Sequence, residues 1–516
     1  MKYKTKYHYL VILLFFTLSS FFLSSYIGFD RHWATNHDHE FTLVYNALLF
    51  NSELPIEYFY HPGFFTILFL SLFFQIFDAI ELIPVYNLSQ LSSENFDQSF
   101  QNLIFFTRIF STLCLSLFSF VSYVFLYKFS KHKIYSFILS LIIFSSEGTI
   151  FHLAQLRTEL LAMFFVILSL IFLRAFLEDG KKSKLKYLSG FFLFIICALL
   201  NKMQVFFLLP LFLLILHFYE NSMDDFNVAE YNFLNKKWVP YPLFFIVIFY
   251  IWKDNKNIFD PLPMLSTLAI LVNLFFMNLF FLLILKKRPQ TLKVNLVAIN
   301  LWFILIFFLI KNFLHIHPST SEMIFFNLTN IMSISTFVSN LPEITETISF
   351  THTLFTRFFT NFVSIFHTVI FKINIYSVLI ILNLLITTIY RKHLTSKMIK
   401  FNFTCLVASI LIIVVNSYRS DGGVLPHYLI FSELVIVLSF CNFVKFLQVR
   451  YLVLILILVS SVNFQNNFEY IKNQRINDQE RQKNIIVHVC KSNYLSYWHK
   501  NLNEDYYKNY CNNYLN

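Results

Sequence analysis

Residues 10–27, LVILLFFTLSSFFLSSYI, followed at once by residues 30–63, DRHWATNHDHEFTLVYNALLFNSELPIEYFYHPG, decide how the chain is read. An unbroken apolar run of bilayer-spanning length gives way to a polar, acidic, histidine-rich segment. That is the pattern of a helix crossing a membrane and delivering a loop to its far surface. The run is longer than the apolar core of a signal peptide and lacks a clear small-residue cleavage site, so it reads as a retained first helix.

The same chemistry continues along the chain. Hydrophobic residues make up 57% of the sequence, Phe alone occurs 69 times, and the mean hydropathy is +0.60. These values describe an all-α polytopic membrane protein with no soluble core domain. Apolar runs near 9–27, 103–127, 135–151, 160–177, 188–201, 204–219, 241–252, 262–285, 294–313, 373–391, 401–417, 427–444 and 451–464 give about thirteen transmembrane helices on the usual length rule. One further run, Phe64 to Ile80, is read as a juxtamembrane or half-inserted helix. The expected organisation is a transmembrane domain over 1–464, with an outer loop at 28–102 that carries juxtamembrane helices and a long outer loop at 311–372. A small extracytoplasmic tail follows at 465–516.

The positive-inside rule tests that arrangement. With Lys2, Lys4 and Lys6 in the cytoplasm, the inner loops hold Lys128, Lys131 and Lys133; Lys181, Lys182, Lys184 and Lys186; Lys286, Lys287 and Arg288; Arg391, Lys392, Lys397 and Lys400; and Lys445 and Arg450. The segment 28–102 has Arg31 as its one strong cation, against nine acidic residues from Asp30 to Asp97. A full crossing by Phe64–Ile80 would reverse every later loop. The net charge of +11 therefore marks a cytoplasmic face and requires no nucleic-acid partner. The absence of glycine-rich phosphate loops leaves soluble nucleotide chemistry without support. Of the cysteines, Cys114, Cys197, Cys405 and Cys441 fall in apolar spans as small hydrophobes. Cys490 and Cys511 lie in the exported tail, where an oxidising compartment would allow them to pair.

Several polar groups converge on the outer face. Asp38 and Glu40, flanked by His37 and His39, form a carboxylate pair suited to taking a proton from a hydroxyl or holding a divalent cation. The plainer reading is the acidic bias of exported loops. Arg157 and Glu159 sit at the end of a span, where anchoring and function compete. Lys202 stands between two apolar helices with almost no loop, a costly position for a cation unless it meets an anion. Arg419, His427 and Tyr428 follow a Gly/Pro-broken turn; Arg can grip a phosphate through its fork of donors, and Tyr428 can equally be an interfacial anchor.

In order, these features resemble the GT-C superfamily of polyprenyl-phosphate-sugar-dependent glycosyltransferases, which includes the protein O-mannosyltransferases and lipid A aminoarabinose transferases. The matching pieces are Asp38-His39-Glu40, Tyr45-Asn46-Ala47-Leu48-Leu49, the helix start at His61-Pro62-Gly63, Arg108, Arg157-Thr158-Glu159, Lys202 and His427-Tyr428. The match covers residues 1–205 well and the remainder by topology. The family usually shows adjacent Asp and Glu where His39 intervenes here.

The resemblance implies an inverting transfer of a sugar from a polyprenyl-phosphate donor to a lipid-linked glycan, lipid or protein acceptor. Asp38 would be the general base, with Glu40 or Glu159 orienting the acceptor or a cation. Arg157, Lys202, Arg419, His427 and Tyr428 would hold the donor phosphate, and His37, His39 and His61 would shape the first-loop site. No soluble cofactor is required, and a divalent cation is allowed but not demanded. The expected location is a bacterial inner membrane, with the N-terminus cytoplasmic and the active site outside.

Two rivals differ in class. A glycan polymerase or ligase would work through 311–372, where Arg357 is the candidate cation. A transporter would place ionisable groups and Gly or Pro breaks mid-span. The seven glycines, at 28, 63, 148, 180, 190, 422 and 423, fall in or near loops and span ends, and the charges gather at outer ends, though Pro210 lies within a span.

Overall fold

A computed structural model describes residues 2–33, 40–54, 63–91, 96–153, 155–178, 184–202, 375–392, 394–416 and 426–445, with scattered positions at 205–216, 279, 363 and 454–512. The expected spans at 241–252 and 294–313, and all but single positions of 262–285 and 311–372, lie outside the described residues. Among the described residues every regular element is helical. In chain order they are α1 (Lys2–Ile27), α2 (Glu40–Asn51), α3 (Phe64–Ala79), α4 (Phe96–Ser130), α5 (Lys133–Phe144), α6 (Glu147–Ile150), α7 (Thr158–Glu178), α8 (Lys184–Asn201), α9 (Ile375–Ile389), α10 (Ser396–Asn416) and α11 (Pro426–Ser439).

Four stretches are long and apolar enough to cross a bilayer: Tyr7–Ile27, Phe96–Ser130, Thr158–Phe176 and Ser396–Ile413. Shorter apolar helices pack beside them. In α1, Ile12, Phe16, Ser20, Leu23, Ser24 and Ile27 are buried, while Leu10, Val11, Leu14, Leu18, Phe22 and Tyr26 are exposed. Both sets recur at three- and four-residue steps, so one face of α1 seals the bundle and the other offers an apolar surface fit for lipid.

Packing against α1 and α7 falls to α4, which at 35 residues is longer than the expected span 103–127. At 1.5 Å per residue it measures about 52 Å, well beyond a hydrocarbon core of about 30 Å. Four of its buried hydroxyls bond their own helix: Thr107 to Leu103 O, Thr112 to Arg108 O, Ser116 to Thr112 O and Ser119 to Leu115 O, all at 2.8 Å. Short side chains satisfied in this way let a neighbour approach closely. Ser24 of α1 does so, its Oγ lying 2.9 Å from Thr112 Oγ1.

The first extra turns of α4 hold the segment after α1. Trp33 is fully buried, its indole donating to Asp97 at 2.7 Å and its backbone N–H to Gln101 at 2.8 Å. Gln101 in turn donates to the carbonyls of Asp30 and Arg31, each at 2.9 Å. Burial lowers the pKa of His32 below 6.5 although Asp97 pulls the other way.

Two expected spans are corrected. The run 135–151 is not a single helix: α5 stops at Phe144, and Ser145 and Ser146 separate it from the single turn of α6. Ser145 and Ser146 turn their hydroxyls back onto Ile142 O and Ile143 O, and Glu433 of α11 takes the Ser146 hydroxyl and the Gly148 N–H. The chain can break here because these partners receive the backbone and side-chain groups that the break frees. The run 427–444 is likewise a helix ending at Ser439, followed by a 3₁₀ turn over Phe440–Lys445 that Tyr135 ties down through the Phe440 carbonyl at 2.8 Å.

In the tail, Cys490 and Cys511 are joined in a disulfide, closing a loop with a sequence separation of 21. Loop-closure entropy for this length gives about 3 kcal/mol. The four remaining cysteines are buried free thiols. Protein purified from membranes under alkylating conditions should migrate faster without reductant than with it, and Cys490→Ser should abolish the difference. Equal migration of wild type in both conditions would refute the pairing.

Candidate functional site

Two buried ion clusters are built where the starts of α2, α3 and α7 meet the end of α8. The first rests on Arg108, which is fully buried in α4. Its guanidinium donates to the Phe29 carbonyl at 2.9 Å, to the Arg31 carbonyl, and to Glu40 Oε2 at 3.1 Å. Glu40 opens α2, and its other oxygen accepts the Leu156 N–H at 3.3 Å. One guanidinium thus fixes the chain leaving α1 and the start of α2, and through Glu40 the approach to α7.

The second cluster is centred on Glu159 in the first turn of α7, where the positive end of the helix dipole favours a carboxylate. Lys202, just past the end of α8, places its Nζ 2.7 Å from Glu159 Oε1. Arg157 Nε lies 3.5 Å from Oε2, with its guanidinium 5.6 Å from the centre of the Phe151 ring. All three are at least nine-tenths buried. Lys202 therefore meets an anion, as its position between two apolar helices requires, and the anion is a protein carboxylate.

Asn201 sets this cluster in place. Its Nδ2 donates to Thr158 O at 2.7 Å, and its Oδ1 accepts from both the backbone N–H and the hydroxyl of Thr66, at 2.9 and 3.0 Å. The end of α8 and the starts of α7 and α3 are thereby tied through one amide. Gly63, immediately before α3, has no room for a side chain: a Cβ there would lie 2.4 Å from Thr158 Cγ2. The glycine of His61-Pro62-Gly63 therefore lets the first loop close on the start of α7.

The sequence-predicted residues divide accordingly. Arg157, Glu159 and Lys202 come together, and Glu40 joins Arg108 close by in the Leu156 hydrogen bond. Asp38, His37, His39, His61 and Arg419 lie outside the described residues. His427 and Tyr428 fall in the first turn of α11, and only their backbone is described. Among the described residues no group of three or more His, Cys, Asp or Glu is arranged to hold a metal ion. One residue that the sequence reading passed over belongs with these: Glu433, fully buried in α11, an acidic side chain in the middle of the apolar run 427–444. An ionisable residue at that depth is itself a signal.

No protein-family model matches the chain, and no curated protein sequence matches it.

The Glu159 cluster yields a direct test. Lys202→Met removes the closer cation and should lower the unfolding free energy in detergent by about 3 kcal/mol, because the buried Glu159 carboxylate loses its 2.7 Å ion pair. Adding Glu159→Gln should recover part of the loss, with a coupling of about 1–3 kcal/mol in the double-mutant cycle. Additive losses would show that the contact carries no energy.

Proposed function

We propose that this protein is a membrane glycosyltransferase of GT-C type with about thirteen transmembrane helices. It moves a sugar from a polyprenyl-phosphate donor to an acceptor on the extracytoplasmic side with inversion. The observation that carries the reading is the convergence of Arg157 and Lys202 on Glu159 at the start of α7. A phosphate arriving there can exchange for the carboxylate as partner of the two cations, and the same cations then stabilise charge growing on the departing lipid phosphate.

The engagement of both Glu40 oxygens supports Asp38, two residues upstream, as the base. A carboxylate committed to Arg108 and a backbone N–H is poorly placed to take a proton from an acceptor hydroxyl. Asp38 would draw that proton as the hydroxyl oxygen bonds to the anomeric carbon and the phosphate leaves from the opposite face. Arg419, His427 and Tyr428 complete the donor side in this reading. The contacts of α3 also support it. Thr66 lies beside Thr158 and Asn201, while Phe73 and Phe77 pack on Phe110 and Phe106, close to Arg108. These contacts of both ends of α3 with residues near the two clusters support reading it as a juxtamembrane helix of the first outer loop.

A second reading has one observation in its favour. Glu433, buried in α11 against the helix break at Ser145–Gly148, is the kind of feature that transporters use.

The decisive experiment is transfer of labelled sugar from a panel of polyprenyl-phosphate sugars in vesicles, comparing wild type with Asp38→Asn. Transfer should fall by at least about a hundredfold in the folded mutant, the usual scale of a lost general base. Equal transfer would remove Asp38 from the mechanism. Absence of transfer by wild type from every donor, with substrate flux in proteoliposomes, would establish the transporter instead.

A further inference from the structure

We infer that Glu433 is a positioning residue that latches the helix break at Ser145–Gly148 to α11 and so holds Arg157 in the Glu159 cluster. The carboxylate takes the Ser146 hydroxyl at 2.6 Å on Oε2 and the Gly148 N–H at 3.0 Å on Oε1, reaching back 287 residues. Ser146 and Gly148 lie where α5 has ended and α6 is a single turn, so their donors have lost the regular helical pattern that would otherwise receive them. In an apolar interior such groups must find a partner or remain unsatisfied at high cost.

The latch also explains Gly148. A Cβ there would stand 2.3 Å from the backbone nitrogen of Ile430 and 2.9 Å from its Cα, so α6 and α11 touch backbone to backbone. On its other side the same stretch is held by α4, whose Ser111 hydroxyl lies 3.1 Å from His152 O and 2.9 Å from Gln155 O. The segment that ends in Arg157 is thereby gripped between α4 and α11. Its grip on α11 falls less than two turns beyond His427 and Tyr428 in the same helix. Glu433 thus sets two groups of candidate phosphate-binding residues, far apart in sequence, in a fixed relation.

The two bonds differ in a way that makes the inference testable. Gly148 can only donate, so its partner must accept. Ser146 can donate or accept, and when it accepts, its own proton goes to Ile143 O, 2.6 Å away. A glutamine at 433 therefore preserves the latch: its Oε1 accepts from Gly148 and its Nε2 donates to Ser146. Alanine has neither group.

Arg157's part in catalysis rests on the function proposed above, but the latch does not, and the test separates them. Leu153 is fully buried within the gripped segment, and the four free cysteines are also buried. A Leu153→Cys protein in detergent should react slowly with maleimide. Adding Glu433→Ala should speed labelling about tenfold, Ser146→Ala about threefold, and Glu433→Gln less than twofold. Sugar transfer should follow the same order, with kcat falling in Glu433→Ala and recovered in Glu433→Gln. Unchanged labelling in the alanine variants, or labelling and turnover as impaired in Glu433→Gln as in Glu433→Ala, would overturn the latch. If wild type transfers no sugar, the proposed function falls and the labelling result still decides the latch; if Glu433→Ala does not fold, Ser146→Ala decides it.

Discussion

The buried ion pair between Arg108 and Glu40 is the constraint on which the rest of the described structure depends. A guanidinium without solvent exposure is tolerable only when its charge is met. Here a carboxylate meets the charge, and with two carbonyls it takes up both terminal nitrogens, while the Nε–H is left without a hydrogen-bond partner. These acceptors belong to the segment between α1 and α2, so satisfying Arg108 obliges the chain to fold back against α4 as soon as it leaves α1. The second oxygen of Glu40 carries the constraint on to Leu156, one residue before Arg157. Removing a partner would strand a charge at a cost of about 3–5 kcal/mol, much of the stability of an ordinary domain.

Asn201 plays the complementary part. A primary amide has two donors and an acceptor on a short stem, so it can join three chain segments where a hydrophobic contact would join surfaces without fixing their register. Between them, Arg108 and Asn201 locate the first turn of α7 in both directions, and the carboxylate of Glu159 is carried there on a helix. Polar groups in an apolar surrounding have few alternative partners, which is why a small number of them can define a geometry.

Much of this was legible in the sequence. The start of α7 and the ends of α7, α8 and α10 follow from apolar run length, because a bilayer-length run flanked by charges has few other structures available; α8 and α10 begin about a turn before their apolar runs, at Lys184 and Ser396. The approach of Arg157, Glu159 and Lys202 was legible too: they cap the same end of two consecutive antiparallel helices. The break after Phe144 was not, since Ser145 and Ser146 are compatible with a helix interior until a partner competes for their neighbours' backbone groups. That partner, Glu433, comes from a distant part of the chain, and within its own run it looks like a lone interruption of an apolar pattern. The length of α4 was missed for a related reason. Its first turns contain Asp97, Gln98 and Gln101, which read as loop, yet Asp97 and Gln101 are spent on Trp33 and the chain after α1.

The sequence distance between Ser146 and Glu433 also orders the assembly of the molecule in time. The partner of the helix break is made 287 residues after the break itself. At synthesis rates of about 5–20 residues per second, the Gly148 N–H waits about 15–60 s for its carboxylate. During that interval α1, α4, α7 and α8 can already have met, because their contacts lie close together in the chain. Chain order thus allows a nascent state in which the cluster around Glu159 is assembled and the segment leading to it is held on one side only. Any factor that shields exposed polar backbone in the membrane would have its longest opportunity to act there, until α11 arrives.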